Sequence, residues 1–160
     1  MKRLLPKVVD IIREHKTNDP DKLAALIGIE VYYENVHSET FQGASFTYKN
    51  RRLIVINEKF DWNHRKVILA HELGHTLPQN TDGLDFSGSH VITEEAINKD
   101  ELEANKFAFL LISHTCMRNC PDMIDGIRDE QLLTIESTEK LLEQFSVFPC
   151  FRVSRQVEKM

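Results

Sequence analysis

Val67-Ile68-Leu69-Ala70-His71-Glu72-Leu73-Gly74-His75 is the stretch that decides how this chain folds. Its apolar residues fall almost all round a helix, the pattern of a helix running through the middle of a domain. Asp61 offers an N-cap, and Pro78 stops the helix because the residue before a proline avoids helical conformation. The helix is therefore predicted over Trp62 to about Leu77. Residues four apart lie on one helix face, so His71 and His75 present both imidazoles to a single point. Glu72 sits beside them, placed to handle the protons of a water held there. Polar side chains on a buried helix are costly without partners, so this trio asks for a metal ion far more than a surface trio would. Gly74 costs about 1 kcal/mol relative to alanine inside a helix, which points to something packed close against its backbone.

Working outward, Leu4 to His15 carries the spacing of an amphipathic helix. Thr17-Asn18-Asp19-Pro20 ends it and supplies a cap and an N1 proline for a second helix, Asp21 to Ile27, closed by Gly28. Ile29 to Tyr33, Phe41 to Tyr48 and Arg52 to Asn57 read as three strands, the last two joined by a turn at Lys49-Asn50-Arg51. The apolar run Leu53-Ile54-Val55-Ile56 is expected of a strand covered on both faces. Downstream, Pro78 to Ile97 reads as a loop, long enough to serve as a rim or lid of a site. Asp100 to Ser113 is strongly helical, and shorter helices are expected near Asp129 to Ile135, Ser137 to Phe145 and Pro149 to Val157. The expected fold class is α+β: a three-stranded sheet packed on the central helix, with further helices, in one domain spanning residues 1–160.

Composition narrows the function classes. The chain is 41% hydrophobic and 28% charged, ordinary for a soluble globular protein. A formal charge of −5 argues against direct nucleic acid binding, which needs a clustered positive surface. No apolar run approaches the roughly 18 residues of a membrane span. Asp10, Arg13 and Glu14 interrupt the basic start before a signal-peptide core can form. Three cysteines, Cys116, Cys120 and Cys150, make a poor disulfide framework and read as thiols of a reducing compartment, so a cytoplasmic location is expected.

His-Glu-x-x-His is the arrangement of zinc metallopeptidases, in which the glutamate acts as general base. A catalytic zinc takes three protein ligands and keeps a fourth position open. A carboxylate from the second long helix would complete the set, and Glu101 and Glu103 compete for that place. Two residues apart, they point about 200° away from each other, so only one can face the metal. Glu101 shares its face with Ala104, Asn105 and Ala108, a small-residue stripe that lets two helices approach. Glu103 shares its face with Lys106, Phe107 and Leu110, so Glu101 is the preferred third ligand. Asn105, one turn on, can then hydrogen-bond a ligand histidine.

Gly28-Ile29-Glu30-Val31, Arg52 to Asn57, Val67 to His75, and Glu101-Leu102-Glu103-Ala104-Asn105-Lys106-Phe107-Ala108 with Leu110-Leu111 resemble the ImmA/IrrE family of metallopeptidases. The resemblance covers residues 5–115 well and residues 116–160 only as a loose helical tail. It implies a small zincin-like metallopeptidase domain, with zinc on His71, His75 and Glu101 and Glu72 as the catalytic residue. It also implies a protein substrate, a helix-turn-helix transcriptional repressor of a prophage or mobile element, and hence an antirepressor role. The alternative is a zinc-binding regulatory module that docks onto a repressor or antitoxin without cutting it. Two departures stand out. Leu77-Pro78-Gln79 replaces the family's frequent Leu-Leu-His, so the metal helix should end early. The chain is also too short for the DNA-binding or sensor domain that some members carry. Pairing of an extended substrate with Arg52 to Asn57, or with the strand before it, is expected. His90, Tyr48 and His114 are candidate oxyanion donors by chemistry alone and are left out of the core site.

Overall fold

The structure is a computed structural model that describes residues 1–77, 94–118, 121–145 and 147–148. Among the described residues, five α-helices and three strands follow in the order α1 (Leu5–His15), α2 (Pro20–Leu26), β1 (Ile29–Glu34), β2 (Gly43–Tyr48), β3 (Arg51–Asn57), α3 (Trp62–Thr76), α4 (Glu94–Met117) and α5 (Ile135–Gln144). Single 3-10 turns lie at Pro121–Ile124 and Asp129–Leu132. The α+β class and the three-stranded sheet are as expected.

Local chemistry sets most of these boundaries. The Asp19 side chain accepts from the Asp21 N–H and caps α2, and Asp61 accepts from the His64 N–H at the start of α3. Gly28, at φ +77°, makes the left-handed step from α2 into β1. Lys49 and Asn50 both have positive φ, 47° and 61°, so the β2–β3 hairpin turns on two residues and Arg51 already belongs to β3. Leu77 leaves α3 with ψ 137°, the extended conformation that a following proline imposes.

The sheet order is β1-β3-β2, with β3 parallel to β1 and antiparallel to β2. This corrects one expectation about substrate: β3, Arg51–Asn57, is hydrogen-bonded on both sides and has no edge to offer. It corrects another about burial. Ile54 and Ile56 are fully buried under α3, but Leu53 and Val55 on the opposite face are only half-buried, beside exposed Tyr32 and Phe46. The sheet is covered on one face, and the apolar run reflects a central strand flanked by aromatics.

Helix α3 is the hub, touching β2, β3, α2, α4 and α5. Its buried residues run from Lys66 through Gly74 without interruption. Leu132, Leu141 and Leu142 join the same buried cluster as Ile54, Leu69 and Phe107. Helix α4 begins at Glu94, so residues 94–97 are its first turn and the expected loop there is shorter. Asn98, Lys99 and Asp100 are all exposed, so this part of the helix shows water no apolar stripe and periodicity was silent about it. The remainder of that loop, and the helix expected at Pro149 to Val157, lie outside the described residues. Thr134 caps α5 with Ser137 in a reciprocal pair, starting it two residues before the expected Ser137. Among the described residues no helix is long and apolar enough to cross a membrane.

Candidate metal centre

Gly74 is what brings the two site helices together. A Cβ built on it would lie 3.0 Å from the Ala104 Cα, 3.2 Å from the Ala104 carbonyl oxygen and 3.2 Å from the Phe107 Cβ. Helices α3 and α4 therefore touch backbone to backbone, as the glycine's cost in the helix implied. From that contact α3 offers His71 and His75, and α4 offers Asp100, Glu101 and Asn105.

Three ligand-type atoms converge. The Nε2 atoms of His71 and His75 are 3.0 Å apart, and the Glu101 carboxylate lies 3.1 Å from the first and 3.2 Å from the second. The outward nitrogens are held by acceptors. His71 Nδ1 donates to Asn105 Oδ1 at 2.7 Å, and His75 Nδ1 donates to an Asp100 carboxylate oxygen at 2.9 Å. A ring that donates through Nδ1 turns an Nε2 lone pair inward when neutral. Two lone pairs and a carboxylate thus face one point, an arrangement that only a proton or a cation relieves. A tetrahedral zinc with bonds near 2.05 Å spaces its ligand atoms by about 3.3 Å. The observed spacings fall just short of that, so these residues fit the ion.

The electrostatics agree with this geometry. When the rings are protonated their Nε2–H groups donate to Glu101, and these hydrogen bonds, from His71 and then His75, hold its carboxyl far below the usual carboxylate range, against the opposing effect of burial. Burial pulls His75 down, but the hydrogen bond to Glu101 and the charges of Asp100, Glu101 and Glu72 outweigh it, and its pKa is raised. His71 is only 3% exposed and Glu72 7%, whereas the Glu101 side chain is 48% exposed. The centre is rooted in the core and open on the Glu101 side.

Glu72 reaches towards β2. Its Cγ lies 3.7 Å from the Cβ position of Gly43, and the Ile68 side chain is nearer still at 2.7 Å. A side chain at residue 43 would collide there, so glycine lets β2 run tight against α3. The approach to β2 is fixed by Asn57, fully buried, whose Nδ2 donates to the Val36 and Phe41 carbonyls at 3.3 and 3.0 Å. Among the described residues β2 has a free edge, so it is the strand beside Glu72 that can pair with an extended chain.

Residues 24–147 match the family model of the IrrE N-terminal-like domain, peptidase M78. The chain belongs to the ImmA/IrrE family. A similar protein is the uncharacterized immunity region protein 2 of Bacillus phage phi105, 31% identical over 102 residues. The match covers 64% of this chain and spans 63% of that relative's length. No solved structure matches the chain significantly.

Sequence reasoning named His71, Glu72, His75, Glu101 and Asn105, and the structure gathers all five in one place. Glu103 points elsewhere, pairing with Lys106 at 3.0 Å. Asp100 was missed. A carboxylate just before Glu101 lies on an exposed stretch, and only the packing angle of α4 on α3 brings it over His75. Tyr48 lies five residues along β2 from Gly43, about 17 Å away at strand rise. His114 lies 13 residues along α4 from Glu101, about 20 Å away at helix rise. Neither reaches the centre, and His90 lies outside the described residues. Cys116 is half-buried near the end of α4 and free of disulfide; Cys120 and Cys150 are outside the described residues. Arg51 and Arg52 offer no phosphate site, because Arg51 pairs with Glu30 and Arg52 donates to the Ile27 carbonyl.

Proposed function

We propose that this ImmA/IrrE family protein is a zinc-dependent endopeptidase that cleaves a regulatory protein in the cytoplasm. The single observation behind this reading is the convergence of three electron-rich ligand atoms on one point, next to a spare carboxylate on Glu72. His71, His75 and Glu101 hold the ion, which when bound supplies Lewis-acid polarisation of a water and of a peptide carbonyl. Asn105 and Asp100 fix the two imidazoles in the tautomer that turns Nε2 inward. Glu72 accepts the proton of the attacking water and passes it to the leaving amine nitrogen. The free edge of β2 holds the substrate extended by main-chain hydrogen bonds, aligned over Glu72. Three residues that would hold the ion, rooted in two helices and with an exposed flank, match an open catalytic centre better than a closed structural one.

The substrate follows from context. The phi105 relative carries the name of an immunity region protein, which supports a repressor of a prophage or mobile element as target and an antirepressor role for this chain. The test is co-expression with a helix-turn-helix repressor of a prophage or mobile element, wild type against Glu72→Gln. The variant should retain zinc, measured by elemental analysis, and lose the cleaved repressor band. Full regulatory activity in Glu72→Gln would instead favour a module that docks without cutting.

A further inference from the structure

We propose that the cleft between the C-terminal ends of α1 and α4 is a binding site for a small organic phosphate. It lies at the opposite end of α4 from Glu101, so it is independent of the metal centre. Its volume is about 480 Å³, within the range of sites for small molecules and too confined for a nucleic acid duplex. Arg13 and Lys16 line it from the end of α1, and His114 and Arg118 line it from the end of α4, with no carboxylate in the lining. None of the three permanent cations forms an ion pair among the described residues, in a chain whose formal charge is −5.

Helix dipoles account for part of this arrangement, because cations are favoured where carbonyls end a helix. They do not account for the half-buried His114. Burial first, and then the charges of Arg118 and Arg13, push its pKa below the ordinary value, so the positive groups are close enough to act on one ring. That ring has no hydrogen-bond partner among the described residues. The walls are fixed as well: Asn18 Nδ2 donates to the Leu111 carbonyl at 3.2 Å and to Thr115 Oγ1 at 3.3 Å, tying the α1–α2 link to the end of α4. Guanidinium forks match phosphate oxygens in pairs. Val9 and Ile12 form an apolar wall beside them, which suits a phosphate carried on an organic group over inorganic phosphate alone.

Phenyl phosphate and inorganic phosphate are the probes, titrated into the zinc-loaded full chain by calorimetry at constant ionic strength. Phenyl phosphate should bind saturably and more tightly than inorganic phosphate. The Arg13→Ala/Arg118→Ala double variant should lose at least tenfold in affinity, while Lys7→Ala/Lys49→Ala, two exposed lysines elsewhere, should retain it. Both arginines are exposed, so an unchanged melting temperature without ligand checks the fold. In proton NMR the His114 ring should shift on saturation and titrate at higher pH, because the bound anion cancels the field of the arginines. Absence of saturable binding, equal affinity for the two probes, or full affinity in the arginine double variant overturns the proposal.

Discussion

Gly74→Ala is the sharpest check on how the two site helices meet. On an isolated helix this change adds about 1 kcal/mol of stability. Here the new methyl would meet the Ala104 Cα at 3.0 Å, the Ala104 carbonyl oxygen at 3.2 Å and the Phe107 Cβ at 3.2 Å. None of these is the end of a flexible side chain, so the helices themselves must part by a few tenths of an ångström. Overpacking of that kind costs about 1–3 kcal/mol. The net expectation is a loss of about 1 kcal/mol, or roughly 3 °C in melting temperature for a chain of this size. Urea denaturation of the zinc-free protein measures it directly. Zinc affinity should fall in the same variant, because the α3–α4 spacing sets the distances from the histidines to Glu101. Ala104→Gly should not rescue Gly74→Ala, since two of the three contacts are with backbone atoms that the second change leaves in place. A variant that is more stable than wild type and binds zinc equally well would refute the account of this helix contact.

Other measurements probe the site and its frame. Asn105→Ala and Asp100→Ala should each weaken zinc binding about 10- to 100-fold in a chelator competition, whereas Glu103→Ala should leave it unchanged. Zinc at about 1,000 times its dissociation constant should stabilise the chain by about 4 kcal/mol, roughly 8–16 °C in melting temperature, and His75→Ala should abolish most of that gain. A pH effect is expected at His64, whose Nδ1 meets Glu139. Burial lowers its pKa, but the Glu139 hydrogen bond and charge, with Glu136 and Asp61, outweigh this and raise it. A raised folded-state pKa stabilises below the unfolded value near 6.5, and that stability is lost as pH rises through the folded value. The stability difference between wild type and Glu139→Gln, measured without metal, should therefore shrink from pH 6 to pH 9; growth over that range would contradict the pairing.

What the sequence disclosed and what it concealed divide along physical lines. Helix α3 was legible because its cap, its stop and its all-round apolar pattern agree. That Glu101 and not Glu103 faces the two histidines was legible because a 100° step per residue separates their faces, and the small residues beside Glu101 mark the contact side. Asp100 was illegible because its role depends on the crossing of α4 over His75, which no local pattern encodes. The start of α4 was placed too late because residues 98–100 are exposed, where periodicity carries no signal. Strand order was also hidden: β3 follows β2 in sequence yet lies between β1 and β2, and its apolar run reads equally as a strand covered on both faces and as a central strand of a sheet covered on one.

The polar residues of α3 have a common logic that reaches beyond catalysis. His64 bonds Glu139 and donates from Nε2 to the Gln42 amide oxygen at 2.8 Å; Lys66, with its side chain 4% exposed, pairs with Asp19 at 3.1 Å and with Asp21; His71 and His75 meet Asn105, Asp100 and Glu101. Three successive parts of one buried helix are thus tied to α5, to α2 and to α4. An apolar helix surface alone permits rotation and sliding at little cost, because hydrophobic contact is non-directional. A buried charge or imidazole is satisfied in one position only and is costly elsewhere. The pins at His64 and Lys66 therefore fix the azimuth and height of α3 before any metal arrives, and they lie on its N-terminal turns, clear of the site. That division explains how the C-terminal half of the helix tolerates two inward lone pairs facing a carboxylate. The folded position is already specified upstream, so the converging groups keep their places whether a proton or a cation fills the centre.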